Sequence, residues 1–142
     1  MSLNQIFSIA GSSATAQTIR LNAVASNLAN AGSAGSTPEE AYQALKPVFT
    51  VFQDNPGPAG PLSNASVQVK VSDIQRITAT NEQRQYEPDH PNADEDGYVF
   101  YPKVNLVSEM ADMMSASRSY QTSIEIMTTA KKMQQRLLTL GQ

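Results

Sequence analysis

The residues best placed to do chemistry stand together in YEPDHPNADEDG, Tyr86 to Gly97. Asn92, Asp94 and Asp96 offer side-chain oxygen at alternate positions ahead of Gly97, as the opening of an EF-hand calcium loop does. Counted from Asn92, however, the twelfth position is Lys103, a cation where that loop closes with a bidentate carboxylate. Ala93 and Glu95 do not replace it, and the stretch reads as an acidic turn feeding a strand. His90 is the chain's one histidine, flanked by Glu87, Asp89 and Pro91. A base or metal ligand would need a second histidine, a cysteine or a nucleophile beside it, so His90 reads as a solvated loop residue. Asn64-Ala65-Ser66 fits a glycosylation acceptor in form alone. Gly11 and Gly32 lie between no strand and helix and make no phosphate loop. No catalytic, cofactor-binding or metal-ligating set emerges, and the expectation is a non-enzymatic chain without cofactor.

Composition points the same way. The 142 residues carry 10 Lys and Arg against 13 Asp and Glu, a net charge of −3, which favours neither nucleic acid nor an anionic membrane. With Cys 0 there is no disulfide and no thiolate chemistry. No apolar run reaches the length of a membrane span, and MSLNQIFSIAGSSATAQ lacks the basic opening of a Sec signal. No direct membrane insertion and no cleaved Sec signal are expected.

The elements that must position these residues follow from periodicity. Leu3, Phe7, Ala10, Ala14, Gln17, Leu21, Val24 and Leu28 alternate steps of four and three. This is the seam of a helix over about 3–30, a rod of roughly 40 Å, ended by the cluster AGSAGSTPEE. Ser36 or Thr37, ahead of Pro38 and two glutamates, predicts a short second helix. From Val104 to Leu140, Leu106, Met110, Met113, Ser117, Tyr120, Ile124 and Met127 repeat the rhythm, and the stripe drifts on to Met133, Leu137 and Leu140. No Gly or Pro falls between Lys103 and Gly141. Between the helices, KPVFTVFQ (46–53), SVQVKVSD (66–73) and GYVFYP (97–102) alternate or are β-rich, with the loop DNPGPAGPLSN separating the first two. The fold class is therefore α+β: long N- and C-terminal helices forming a coiled-coil-like pair, with a small antiparallel β module inserted. The segments divide as 1–35, 36–103 and 104–142.

The stripe around Leu21, Val24 and Leu28 is narrow, and a pair of helices leaves many of its large apolar side chains half exposed, so the pair needs neighbours on its other faces. Asn22, Asn27 and Asn30 crowd the first helix although Asn is a mediocre helix former; uncharged donors and acceptors there suit contacts with surrounding subunits. Met110, Met113, Met114, Met127 and Met133 read as packing residues, of a type that adapts to partners of more than one shape. The candidate subunit interface comprises Leu3, Phe7, Leu21, Asn22, Val24, Asn27, Leu28 and Asn30 on the first helix. On the second it comprises Met110, Met113, Met114, Tyr120, Ile124, Met127, Leu137 and Leu140.

IFSIAGSSATAQTIRLNAVASNLANA, with Asn22, Asn27, Leu28, Ala29 and Asn30, resembles the N-terminal signature of the bacterial flagellar axial proteins. YEPDHPNADEDGYVFYPKVNLVSEM and MSASRSYQTSIEIMTTAKKMQQRLLTLGQ are similar to rod-forming members of that family. The likeness rests on both termini and roughly the last 57 residues; it is poor over about 32–84, where AYQALKPVF replaces the family's Tyr-Arg opening, and Lys103 stands for a usual Asn. The resemblance implies a structural subunit of the rod, the shaft that crosses the periplasm and carries motor torque. It further implies export through the flagellar type III apparatus, and terminal helices forming an inner tube with the β module outward. Implied partners are other copies of the chain, FlgB, FlgF, FlgG and the adaptor FliE. A cytoplasmic coiled-coil adaptor and a calcium-binding module are the alternatives.

Overall fold

The computed structural model describes residues 3–54, 66–79 and 83–140; the loop after Asp54 and the Asn64 acceptor lie outside them, as do the side chains of 53, 54, 66 and 140. Helix α1 spans Leu3–Ala29 and α2 spans Leu106–Leu140. Between them come β1 (Ala44–Asp54), β2 (Ser66–Ile77), β3 (Arg84–Tyr86) and β4 (Tyr98–Phe100). Strands β1 and β2 make one two-stranded sheet, β3 and β4 another. The class is α+β, two long terminal helices with a small β region between them. No helix among the described residues is long and apolar enough to cross a membrane.

The helix ends follow their local chemistry. Asn105 caps α2 by accepting the Ser108 amide on Oδ1 at 3.1 Å, and Glu109 sits in the first turn where the helix dipole favours an acid. At the other end of α1, Asn30 turns its amide back onto the Ser26 carbonyl at 2.9 Å. Ala31 and Ser33 then tighten the chain with bonds to the carbonyls three residues before them. The short helix expected after Ser36 does not form. Thr37 does cap, its Oγ1 accepting the Glu40 amide, and its carbonyl accepts the amides of Glu40 and Ala41. One turn is all that fits before β1 begins at Ala44.

Two compact units emerge, and each interleaves stretches from the three sequence segments. One unit comprises 1–19, 48–73 and 115–142. Here α1 meets β2 through hydroxyls: Ser12 Oγ accepts the Val69 amide at 3.1 Å while donating to the Ile9 carbonyl, and Gln68 donates to Ser8 Oγ at 3.0 Å. A strand edge is thereby covered by a helix. It meets α2 through Ser13 and Ser123, whose oxygens lie 3.1 Å apart. An alanine methyl at Gly11 would come 3.9 Å from Met127 Sδ.

The other unit comprises 20–47 and 74–114. Strands β3 and β4 pair antiparallel, Arg84 opposite Phe100 and Tyr86 opposite Tyr98, with the two tyrosine rings edge to face at 5.2 Å. On its other side Phe100 exchanges two 2.9 Å backbone bonds with Gly35. Gly35 is required there, because a Cβ would stand 2.4 Å from the Ala41 nitrogen. Ala41, Ala79 and Phe100 form the apolar cluster below this pairing. Burial, then the hydrogen bond and charge of Glu87, raise the Tyr101 phenol above the ordinary tyrosine range, so it remains a donor to both Glu87 oxygens at 3.1 and 3.2 Å.

The buried seam of α2 corrects the one expected from hydropathy. Every seventh residue, Glu109, Ala116, Ser123 and Ala130, is buried, whereas Leu106, Met110, Tyr120 and Ile124 of the expected seam are exposed. On α1 the buried positions are Ala10, Ala14, Ala16, Ala23, Val24 and Asn27. Small side chains bring backbones close, and the large ones are turned to the flanks.

Candidate subunit interface

The amide cluster on α1 divides sharply. Asn27, 1% exposed, spends its whole side chain inside its own chain. Its Nδ2 donates to the Leu45 carbonyl at 2.9 Å and to Glu109 Oε2 at 3.1 Å, while Oδ1 accepts the Leu45 amide at 2.8 Å and the Tyr42 hydroxyl at 3.1 Å. Ser26 completes the set, its Oγ lying 2.8 Å from the Tyr42 oxygen. The expectation that Asn27 faces a neighbouring subunit is therefore corrected: its donors and acceptors fasten the start of β1 and the start of α2 to α1. Val24 is likewise buried within the chain. Asn30 is half-buried and engaged with Ser26 and Ser33, which leaves Asn22 as the exposed amide of the three.

The remaining candidates form the outer surface. Leu3, Phe7, Leu21, Leu28, Met113 and Met127 are half-buried. Met110, Met114, Tyr120, Ile124 and Leu137 are exposed, and Val107, Ile126, Met133 and Leu138 join them although the sequence reading left them out of the interface. The methionines thus split: Met113 and Met127 are half-buried, while Met110, Met114 and Met133 are exposed. From 131 to 139 every residue is exposed. Leu106, Met110, Ile124 and Tyr120 lie along one flank of the buried seam, and Ile126, Met133 and Leu137 along the other, by the 100° step of the helix. Beside the second flank, Ile6, Thr122, Ile126, Ala130 and Met133 line a mainly apolar groove.

The acidic turn is a structural device. Asp94 Oδ1 accepts the amides of Asp96 at 3.0 Å and Tyr98 at 2.7 Å, Gly97 takes the positive φ of 80° that closes the turn, and Arg84 pairs with Asp94 and Asp96 at 3.5 and 3.6 Å. The same guanidinium lies 3.7 Å over the Tyr98 ring. His90 Nδ1 accepts the Asn92 amide at 3.1 Å. Among the described residues no three acids or histidines gather as a metal would require. Asp94→Ala should lower stability by about 1–3 kcal/mol through its orphaned amides, and millimolar calcium should leave the wild-type melting temperature unchanged. Thermal melts with and without calcium check both; a calcium-dependent rise that Asp94→Ala abolishes would reverse the assignment.

Comparison with known proteins places the chain in a family. The family described as flagellar basal body rod FlgEFG protein C-terminal matches residues 95–140. The flagellar basal-body rod protein FlgC of Escherichia coli O157:H7 and that of Salmonella typhimurium are each 46% identical over 142 residues, covering 100% of both chains. FlgC of Aquifex aeolicus is 36% identical over 138 residues, covering 96% of this chain and 95% of its own. The chain belongs to the FlgC family of flagellar basal-body rod proteins. FlgC relatives align through the middle of the chain too, so the likeness reaches well beyond the termini and last 57 residues on which the sequence reading placed it. As a FlgC family member the protein is a structural subunit of the flagellar basal-body rod, a component of the motility apparatus that assembles with other rod components.

Proposed function

We propose that the protein builds the rod by laying the exposed flanks of α2, with Asn22 and the half-buried large residues of α1, against its neighbours. The terminal helices then line the inner tube and the β region faces outward. The neighbours are further copies of the chain together with FlgB, FlgF, FlgG and the adaptor FliE. The chain reaches its place through the flagellar type III export apparatus, in the part of the rod that crosses the periplasm. Its task is mechanical, passing torque through packed helices, and no catalytic step enters it. One observation carries this reading: α2 buries Ala116, Ser123 and Ala130 and exposes Leu106, Met110, Met114, Met133, Leu137 and Leu138.

A protease experiment tests it. In the free chain trypsin should cut at Lys131, Lys132 and Arg136, where every residue is exposed and little holds the helix in place. In purified basal bodies an epitope-tagged chain should be present and those bonds protected. Equal cleavage in both settings would show that the end of α2 lies on no interface.

A further inference from the structure

Gln17 is the one polar residue in the heptad series of α1, and it lies one turn along the helix from Ser13, which meets Ser123 of α2. Its side chain is half-buried. Among the described residues, its Oε1 is the only side-chain oxygen or nitrogen sealed from solvent without a hydrogen-bond partner. An acceptor left so costs the fold stability, and a leucine at the same point of the series would carry no such cost. In the folded unit, where the buried face of α2 is Ala116, Ser123 and Ala130, that oxygen is the whole of the penalty.

The same α2 carries a second series, Leu106, Met110, Met113, Ser117, Tyr120, Ile124 and Met127, at the four-and-three spacing of the α1 series. Leu106, Met110, Tyr120 and Ile124 of it are exposed. Two such series on different copies are the makings of a coiled coil. Gln17 would then occupy a core position with its oxygen and both N–H groups enclosed among leucine, methionine and isoleucine, and a wholly buried amide without partners costs more than one orphaned oxygen.

We propose that Gln17 is the specificity residue of α1: it tolerates the small-residue face of its own α2 and bars the helix from the exposed apolar series on the α2 of another copy. A single polar residue at a core position selects among coiled-coil pairings at a cost in stability, and the unpartnered oxygen is that cost. Copies not yet built into a rod thereby stay apart although each displays an apolar flank, a property of the free chain beyond its place in the rod.

Sedimentation velocity of the purified full chain over a range of concentrations is the test. Gln17→Leu should associate at about a tenfold lower concentration than wild type. Below the concentration at which either associates, its urea midpoint should equal or exceed the wild-type one, because the orphaned acceptor is gone. Gln17→Asn, still polar, should sediment as wild type does. Adding Ile124→Asp to Gln17→Leu should return association to the wild-type level, since Ile124 belongs to the exposed series. Coincident association curves for wild type and Gln17→Leu overturn the proposal, as does a Gln17→Asn chain that associates like the leucine variant. Association that survives Ile124→Asp places the contact on another surface and overturns it too. A lower urea midpoint for Gln17→Leu would do the same, by showing that the oxygen is bonded in solution.

Discussion

Asn27→Leu should destabilise the isolated chain by about 3–5 kcal/mol, enough to unfold a marginal domain. The leucine fits the helix and even has the higher intrinsic propensity, so the loss comes from what it leaves behind. The Leu45 amide and carbonyl and Glu109 Oε2 lose their partner together, while Tyr42 keeps Ser26. Each buried orphan costs about 1–3 kcal/mol, and the apolar gain of leucine offsets part of the sum. Asn27→Asp should be no remedy: it can still accept from Leu45 and Tyr42, but it sets a second carboxylate against Glu109 and cannot donate to the Leu45 carbonyl. Asn22→Leu is the control, exposed and expected within about 0.5 kcal/mol of wild type. Urea unfolding of the three variants decides the matter; coincident midpoints for Asn27→Leu and Asn22→Leu would mean that the buried network contributes nothing.

Ile124→Asp should do the opposite, sparing the chain and stopping the rod. Ile124 is exposed, so in the free protein the aspartate remains in water and the unfolding midpoint should move by less than about 1 kcal/mol. In the assembled rod the same carboxylate would be buried without a partner, at a cost of several kcal/mol; about 3 kcal/mol at a single contact already weakens association roughly a hundredfold. Secretion should continue, swimming should cease, and basal bodies carrying the variant should be rare. Leu21→Asp makes a poorer probe because Leu21 is half-buried, and its charge would also burden the fold. Normal swimming with Ile124→Asp would remove that flank of α2 from the interface.

The extents of α1 and α2 were legible to within a residue or two because each repeats its period many times over, whereas β1 was read only over 46–53 of its Ala44–Asp54. Strand β3 was not legible: its three residues, Arg84 to Tyr86, carry no period, and the Tyr86 contact that fixes them comes from Tyr98. Strand β2 runs four residues past the alternating SVQVKVSD, to Ile77. The helical seam of α2 was misplaced for a physical reason. Hydropathy follows side-chain size, whereas the buried face is made of Ala116, Ser123, Ala130 and one glutamate, residues that score as neutral or polar and pack because they are small. Asn27 stood out as an anomaly in a helix, but its partners lie at Tyr42, Leu45 and Glu109, and no local pattern connects an amide with a carboxylate 82 residues away. Met110, Met114, Tyr120, Ile124 and Leu137 remain interface candidates, since the fold leaves them exposed.

The alanine seam sets different evolutionary freedoms on the two sides of one helix. Ala116 is 0% exposed and Ala130 2%, so a single added methylene at either must push a backbone or strain a rotamer, typically at about 1–3 kcal/mol. Those positions are held to the smallest residues whatever the rod around them becomes. Met110, Met114, Ile126 and Leu137 answer to no such constraint from within the chain and can drift in step with whatever they meet. A duplicated copy of such a chain can therefore acquire new neighbours by rewriting the outer flanks of α2 while its own fold stays untouched.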